Sequence, residues 1–286
     1  MVNSNGIACV IILYNPKKEV IQNIKSFSNY VDIIYVVDNS KNINKSIYYK
    51  LSQFENLKYI NESSNKGIAF PLNLAAKKAL KSNYQWLLTM DQDSYFTGDS
   101  LKNMISYIKN NDTSKIGIIT PHHKINRNNM ASKKIETVLT TMTSGNLLNL
   151  NIYKLAGDFI EKLFIDSVDH EYCLRLNKFG YKVIKINSSV LNHELGDISK
   201  SIDILNKKLL ITNHNYLRRY YITRNTLYVI NKYKEEFPVF CFKKFVMIIL
   251  SFFQILFFEK DKFKKIKYIF LGIIDYLNNN FGKIDN

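Results

Sequence analysis

Short apolar segments alternate with helical patterns along the first third of the chain, and this alternation constrains the fold more than any other feature. The strand patterns are continuous apolar runs, typical of strands that are buried on both faces; they lie at residues 7–13, 33–37, 57–60 and 85–90. Helical patterns at 20–27 and 68–80 lie between them. Strands and helices in this order form βαβ units, so the sequence predicts an α/β fold with a mostly parallel sheet flanked by helices.

The alternation continues beyond the fourth strand and then gives way to helices. A helix is predicted at residues 101–108 and a strand at 116–120, which Pro121 is expected to end. The polar, basic residues 122–134 predict a solvated loop. Long helical patterns follow residue 213. We therefore predict an α/β domain at 1–212 and a C-terminal helical appendage at 213–286.

Two carboxylates follow the fourth strand at alternate positions, Asp91 and Asp93. Side chains at alternate positions need a turn to converge on a ligand, and residues 94–98 are expected to supply it. Carboxylate oxygens suit Mg²⁺ or Mn²⁺ held against a diphosphate. Because Asp-x-Asp is common by chance, a solvated loop is the alternative interpretation.

A second group of carboxylates, Asp166, Asp169 and Glu171, lies at the start of a predicted helix that Gly180 ends. Acidic residues are favourable at the positive end of a helix dipole, but three of them in one place raise the pKa of at least one. A carboxylate with a raised pKa is what a general base requires. His193, after the next strand pattern, is interpreted either as a metal ligand or as a loop histidine.

The charge balance favours an anionic partner. The 286 residues include 40 Lys and Arg against 24 Asp and Glu, a net charge of +16. A nucleic-acid-binding protein would explain this charge, but the aromatic residues fall in apolar patterns and no nucleic-acid motif is present, so nucleic acid is not expected as a partner. Cys9, Cys173 and Cys241 are far apart, and the N-terminus lacks a signal pattern. A reducing, cytoplasmic location is expected.

The C-terminal region carries an apolar segment at residues 245–258 and a second one at 266–277. The first is expected to be too short for the ~20 residues that span a bilayer. Lysines frame both segments; they are Lys243, Lys244, Lys260, Lys262, Lys264, Lys265 and Lys267. Residues 239–286 are therefore predicted to lie on an anionic membrane surface. A helical packing module or a homo-oligomer interface is the alternative.

Six motifs follow one another along the chain. They are Asp38 at a strand end, Asn65-Lys66-Gly67, Asp91-x-Asp93, Ser144-Gly145-Asn146, Val168-Asp169-x-Glu171 followed by Arg175, and His193. Their order resembles that of the inverting family 2 glycosyltransferases of the Rossmann-like GT-A fold. Within that family the chain is most similar to bacterial rhamnosyltransferases that build O-antigens, capsules and cell-wall rhamnans. The resemblance covers roughly residues 6 to 230.

The resemblance implies an enzyme that moves rhamnose from dTDP-β-L-rhamnose to a hydroxyl group of a lipid-linked saccharide. Such an enzyme would work at the inner face of a bacterial cell membrane. A donor that carries a uridine nucleotide with galactofuranose or glucose is the nearest alternative. A non-catalytic scaffold on the same fold is a third interpretation, although it would not need these polar residues.

The resemblance also assigns donor-binding roles. Asp38 would accept a hydrogen bond from the imide of a uracil or thymine base, and Tyr14 would flank that base. Asp91 would contact the ribose. Arg224, in a recurrent Arg-Asn pair, would contact phosphate, or else it is a helix-surface arginine. The other residues assigned to the donor are Asn65, Lys66, Gly67, Ser144 and Gly145.

The catalytic roles follow in the same way. Asp93 and His193 would hold the divalent ion, Mg²⁺ or Mn²⁺. Asp169 would be the base that takes the proton of the acceptor hydroxyl, and direct displacement would invert the anomeric centre. The family's usual Glu-Asp pair is not intact here, because Val168 stands in the first position. Asp166 and Glu171 are therefore kept as alternative bases.

Overall fold

The computed structural model describes residues 6–124, 133–193, 198–204 and 207–284, with side chains at 193–212 left out of the description. The chain divides into two compact units. The first comprises Met1–Glu161 and Tyr172–Glu194, and the second comprises Lys162–Glu171 and Leu195–Asn286. The boundary at residues 212 and 213 stays a prediction.

The first unit alternates strands and helices as the sequence predicts. In chain order its elements are β1 (Ile7–Leu13), α1 (Val20–Lys25), β2 (Ile33–Asp38), α2 (Lys45–Leu51), β3 (Leu57–Asn61), α3 (Ala69–Lys81), β4 (Trp86–Asp91), β5 (Ser94–Phe96), α4 (Ser100–Asn110), β6 (Ile116–Lys124), β7 (Ile135–Val138), β8 (Asn146–Asn149) and α5 (Leu150–Ala156). Helix α6 (Val168–Lys178) begins in the second unit, and β9 (Lys182–His193) returns to the sheet.

The described strands of this unit form a nine-stranded mixed sheet with the path β3-β2-β1-β4-β8-β6-β9-β5, and β7 also pairs with β9. β1 pairs in parallel with β2 and with β4. β8 is antiparallel to both of its neighbours. Apolar residues such as Ile11, Val36 and Leu88 are fully buried in the sheet. The predicted α/β fold is confirmed, since continuous apolar strands are stable only when both faces are covered.

Two expectations about turns are wrong. Pro121 does not end its strand, because β6 continues to Lys124 and its register against β9 shifts between Pro121 and His122. Such an irregularity lets a strand accommodate a proline, which cannot donate to the ladder.

The chain after Asp91 turns at Gln92 and Asp93, not at 94–98, because Ser94–Phe96 is strand β5. Residues 125–132 of the predicted loop lie outside the described residues.

The second unit contains a two-stranded hairpin and three long helices. Its remaining elements are β10 (Ile198–Ile204), β11 (Lys207–Thr212), α7 (Tyr216–Tyr233), α8 (Pro238–Phe258) and α9 (Lys262–Leu277). α8 has 21 residues, so the expectation of a segment too short to span a bilayer is wrong. By length and composition α8 could cross a membrane. Lys265 is buried and donates to Glu259 at 2.8 Å, so it does not belong to the exposed lysine frame.

Candidate active site

The carboxyl ends of β1, β2 and β4 meet at one edge of the sheet, which we call the strand-end crevice. Leu13 lies opposite Asp38 in the β1–β2 register, and Ile12 lies opposite Asp91 in the β1–β4 register. β2 and β3 lie on one side of β1 in the sheet, and the next strand along the chain, β4, lies on the other side. Ligands of open α/β sheets bind where the strand order reverses in this way.

Asp38 is a buried, fixed hydrogen-bond acceptor in this crevice. Its Oδ1 accepts a hydrogen bond from the Ser40 amide at 2.8 Å, and its Oδ2 accepts one from the Tyr59 hydroxyl. Burial, and then the contact with Asp38, raise the pKa of the Tyr59 phenol, so this hydroxyl stays a donor. A carboxylate has about four acceptor positions, so capacity remains for a further donor such as the imide of a base.

Asn39, which the sequence analysis did not single out, joins β2 to the Asn65-Lys66-Gly67 loop. Its buried amide donates to the Gly67 carbonyl at 2.7 Å, and its Oδ1 accepts a hydrogen bond from the Lys66 amide at 3.5 Å. Gly67 has a φ of 80°, and its amide donates to Asn65 Oδ1 at 2.9 Å. The amide of Gly67 is therefore already engaged, whereas the Lys66 side chain is exposed beside the crevice.

Gln92, the central residue of the Asp-x-Asp motif, fixes the backbone of Tyr14. Its Oε1 accepts a hydrogen bond from the Tyr14 amide at 2.9 Å, and its Nε2 donates to the Tyr14 carbonyl at 3.2 Å. The Tyr14 ring is 50% exposed, so it is free to stack on a ligand. The Asp-x-Asp motif draws attention to Gln92, but only the structure shows that Gln92 binds the backbone of Tyr14.

The acidic turn after β4 brings the two predicted metal ligands near each other in register. Ser94, the residue after Asp93, lies opposite His193 in the β5–β9 pair. The side chain of His193 lies outside the described residues. Among the described residues, no group of three or more His, Cys, Asp or Glu could hold a metal. Carboxylate oxygens suit Mg²⁺ or Mn²⁺. The assignment of Asp93 and His193 as metal ligands stays a prediction.

Ser144 and Gly145 support the acidic turn from β8's side. Ser144 Oγ accepts a hydrogen bond from the Asp91 amide at 3.1 Å, and the Ser144 carbonyl lies 2.7 Å from His123 Nε2. Gly145 has a φ of 81°, and a Cβ there would lie 2.8 Å from Leu191 Cδ2. Glycine is thus required at this position by backbone conformation and by packing. Donor contacts by either residue stay a prediction.

In the second unit, a strained loop precedes the predicted base. Phe164, Asp166 and Ser167 have φ values of 63°, 62° and 64°, which only glycine adopts without cost. Asn225 of α7 donates from Nδ2 to three carbonyls of this loop; they belong to Leu163 at 2.6 Å, Ile165 at 2.6 Å and Asp166 at 3.1 Å. We call this arrangement the Asn225 clamp. Strain of this kind concentrates at functional sites.

Arg224 supports the Asn225 clamp from the core. It is 1% exposed, and its guanidinium lies 5.0–5.2 Å from the ring centroids of Tyr220, Tyr221 and Phe281. Its Nε donates to Asn225 Oδ1 at 3.0 Å, which turns the Asn225 amide nitrogen toward the loop carbonyls. Arg224 is therefore not a helix-surface arginine. Its predicted contact with a donor phosphate stays a prediction.

The three carboxylates near the start of α6 have different environments. Glu171 has a fully buried side chain, and its Oε1 accepts hydrogen bonds from Lys232 Nζ and the Tyr233 hydroxyl, both at 2.8 Å. Burial raises the pKa of Asp166 to about 6, despite Arg218 Nε at 3.5 Å. Asp169 is 23% exposed and accepts a hydrogen bond from the His170 amide at 2.8 Å. The side chain of Asp169 is thus the most exposed of the three.

Comparison with known proteins identifies a family and similar sequences. The family model described as Glycosyl transferase family 2 matches residues 8–169. The chain is 30% identical over 250 residues to dTDP-rhamnosyl transferase RfbF of Shigella flexneri, covering 80% of this chain and 81% of that protein. It is 26% identical over 137 residues to a poly-β-1,6-N-acetyl-D-glucosamine synthase of Staphylococcus epidermidis, covering 46% of this chain and 32% of that protein.

Solved structures share the fold. S. aureus TarS 1–349 superposes with a TM-score of 0.60 and 15% identity, covering 94% of this chain and 80% of that one. GalNAc-T7, solved with UDP, GalNAc and Mn²⁺, superposes with a TM-score of 0.55 and 13% identity over 65% of this chain. The match spans 42% of the GalNAc-T7 chain. At these identities the likeness concerns the fold alone.

Proposed function

We propose that this chain, which belongs to glycosyl transferase family 2, transfers rhamnose from dTDP-β-L-rhamnose to a hydroxyl group of a lipid-linked saccharide. The family and the GT-A fold predicted from the sequence are both confirmed. The observation that carries the choice of donor is the 30% identity to a dTDP-rhamnosyl transferase over 80% of the chain. The product would serve the synthesis of a bacterial surface polysaccharide.

The donor nucleotide binds in the strand-end crevice in this proposal. Asp38 accepts a hydrogen bond from the imide of the thymine, and the half-exposed Tyr14 ring lies against the base. Asp91 contacts the deoxyribose. The exposed Lys66 ammonium neutralises phosphate charge, as a cation near a diphosphate does. The hydrogen bonds of Asn39 and Gln92 support these roles, because they hold the two loops that carry Lys66 and Tyr14.

Asp93 and His193 would hold a divalent ion against the diphosphate. When bound, Mg²⁺ or Mn²⁺ stabilises the negative charge that develops on the leaving group. Lys66 and Ser144 lie on loops of the same crevice and complete the polar surroundings of the diphosphate.

Asp169 acts as the general base. Its carboxylate takes the proton of the acceptor hydroxyl while that oxygen attacks the anomeric carbon of rhamnose. The bond from that carbon to the diphosphate oxygen breaks in the same displacement, which inverts the anomeric configuration. Three contacts support this assignment over the alternatives, since Glu171 is engaged by Lys232 and Tyr233, and Asp166 lies against Arg218. Asp166 is the alternative base, because burial raises its pKa to about 6.

Calorimetric titration with dTDP-rhamnose and, in parallel, UDP-glucose tests the donor. We expect dTDP-rhamnose to bind in Mn²⁺ or Mg²⁺ and to lose affinity when a chelator is added. The two donors differ in the methyl group of the base, in the 2′-hydroxyl group and in the sugar. The methyl group alone is worth ~1–3 kcal/mol, so the affinities should differ by at least about fivefold. Tighter binding of UDP-glucose would change the donor. Absence of binding to both would favour the non-catalytic scaffold.

The outer surface of α8 and α9 supports a peripheral membrane location on the cytoplasmic face. Large apolar side chains are exposed along both helices, and Phe263 is 92% exposed. The exposed apolar residues include Val239, Phe242, Phe245, Leu250, Phe253, Phe257, Phe270, Ile274 and Leu277. Lys243, Lys260, Lys264 and Lys267 are exposed around them. Apolar side chains framed by lysines favour the surface of an anionic bilayer over a homo-oligomer interface.

Co-sedimentation with anionic phosphatidylglycerol vesicles tests this location. Phe263→Gln and Phe242→Gln should each reduce the bound fraction severalfold, because each removes an apolar side chain from the bilayer contact. Phe179→Gln is the matched control, since Phe179 is 52% exposed but lies in the first unit. Equal losses for the control, or vesicle binding that none of these changes reduces, would show that α8 and α9 are not the contact surface. Absence of vesicle binding would favour a dimer interface instead.

A further inference from the structure

A cavity of about 300 Å³ lies within the second unit, among α7, α8 and α9. This volume is in the range of small-ligand sites. Part of its wall is apolar and is formed by Ile222, Ile248 and Ile269. The rest is polar and includes Arg219, Lys244 and Gln254. The cavity therefore suits a ligand with one polar end and one aliphatic end.

Cations outnumber carboxylates around this cavity. Arg219 and Lys265 share the buried carboxylate of Glu259, since Arg219 donates to Oε1 and Lys265 donates to Oε2 at 2.8 Å. Lys244 is a further cation, and its Nζ lies 3.4 Å from the ring nitrogens of His170. Among the described residues no carboxylate lies within ion-pair distance of Lys244, although the charge of Asp169 offsets part of the lowering of its pKa by burial. The polar end of a ligand would therefore be an anion.

Two more groups fit an anion. Burial, and then the charges of three neighbouring cations, lower the pKa of His214 to about 4, as expected in a positive local field. Gln254 Nε2 is buried and has no hydrogen-bond partner among the described residues. A buried donor without a partner is costly unless a ligand satisfies it.

We propose that this cavity binds the phosphate group of a membrane lipid, with the phosphate against Lys244 and Gln254 and the aliphatic chain along Ile222 and Ile248. α8 carries the exposed apolar residues on one side and Lys244 and Gln254 on the cavity side. A lipid that follows α8 from the bilayer would thus meet the cations of the cavity.

This inference rests on the proposed function, because it identifies the part of a lipid-linked acceptor that the enzyme holds. Lys244 contacts His170, the neighbour of the proposed base Asp169. A saccharide attached to the bound phosphate would therefore extend toward the carboxylate that accepts its proton. The cavity would select acceptors by their lipid phosphate, independently of the sugar.

Binding of octyl phosphate to the full chain, measured by calorimetry below the concentration at which octyl phosphate forms micelles, tests the proposal. We expect one molecule to bind per chain and Lys244→Gln to weaken binding roughly tenfold, the value of one charge-assisted hydrogen bond. Gln254→Met, which keeps the size of the side chain, should weaken it about threefold. Lys243→Gln is the matched control, because Lys243 is the exposed neighbour of Lys244 and carries the same charge.

Three results would overturn the proposal. Equal losses in Lys243→Gln and Lys244→Gln would attribute binding to surface charge. Equal affinity for octyl glucoside would show an apolar groove with no phosphate preference, and equal affinity for inorganic phosphate would show a free-anion site with no lipid preference. Titration of the unmodified protein with dTDP-rhamnose separates the two proposals. If dTDP-rhamnose binds and octyl phosphate does not, only the lipid-phosphate proposal fails. If dTDP-rhamnose does not bind, the proposed function fails.

Discussion

Replacing Asn225 by alanine should impair catalysis more than it impairs folding. The Asn225 amide donates to three carbonyls of residues 163–166 and accepts from Arg224 Nε. Asn225 is fully buried, so water does not replace these hydrogen bonds in the variant. The loop carries three residues with left-handed φ, and each such residue costs roughly 1–2 kcal/mol. Without Asn225, these residues are free to relax.

The magnitude follows from the hydrogen bonds that are lost. The two N–H groups of the Asn225 amide are shared among the three carbonyls, and each buried hydrogen bond contributes about 1 kcal/mol net. Their loss should lower the free energy of unfolding by about 2–3 kcal/mol. Relaxation of the loop recovers part of this but moves Asp169, which follows the loop by two residues. Misplacement of a catalytic group by about 1 Å costs up to roughly a hundredfold in rate. We expect kcat to fall ten- to a hundredfold, with the affinity for dTDP-rhamnose unchanged.

Urea titration and steady-state kinetics on the folded variant measure the two effects. Asn149→Ala is the matched control. Asn149 is buried in the first unit, donates to the Thr113 and Ile116 carbonyls at 3.3 and 3.2 Å, and caps α5. It should lose about 2–3 kcal/mol of stability and keep its kcat. Equal losses of kcat in both variants, or a full kcat in Asn225→Ala, would refute the positioning role.

Three further predictions concern the carboxylates. Asp169→Asn should abolish transfer while calorimetric donor binding persists; turnover near that of the wild type would remove Asp169 as the base. Asp93→Ala should weaken dTDP-rhamnose binding in the presence of Mn²⁺ and leave the residual binding measured with a chelator unchanged; a loss of the same size with a chelator would contradict a metal role. Burial raises the pKa of Asp166 to about 6, so the folded chain keeps a proton from about pH 4 to 6 that the unfolded chain has released. The contribution of this carboxyl to stability is therefore full below about pH 4 and is lost as the pH rises through 6. Asp166→Asn should raise the free energy of unfolding by about 3 kcal/mol at pH 7.5 but not at pH 4, as measured by urea titration. An equal effect at both pH values would be inconsistent with this.

Local patterns were enough to predict the sheet of the first unit and the strand ends that form one side of the candidate site. The runs at β1, β2 and β4 are almost wholly apolar, and those of β2 and β4 end in Asp38 and Asp91. Parallel strands necessarily bring their carboxyl ends to one edge. The prediction of strand ends failed where hydrogen bonding to a neighbouring strand overrides the local turn preference of the residues. Pro121 lies inside β6, and Ser94–Phe96 forms a strand, because β9 supplies a partner for each.

The sequence by itself determined which carboxylates are candidates for the chemistry, since carboxylates at strand ends and at a helix start are recognisable without a structure. Only the tertiary structure decided the surroundings of each carboxylate. Glu171 and Asp169 are two residues apart, yet Glu171 is buried against Lys232 and Tyr233 of α7 while Asp169 stays accessible. The partners of Glu171 are some 60 positions away in the chain, and so are the carbonyls that Asn225 holds. Burial and hydrogen bonding over such separations arise from packing, and packing sets whether a carboxylate anchors a helix or accepts a proton.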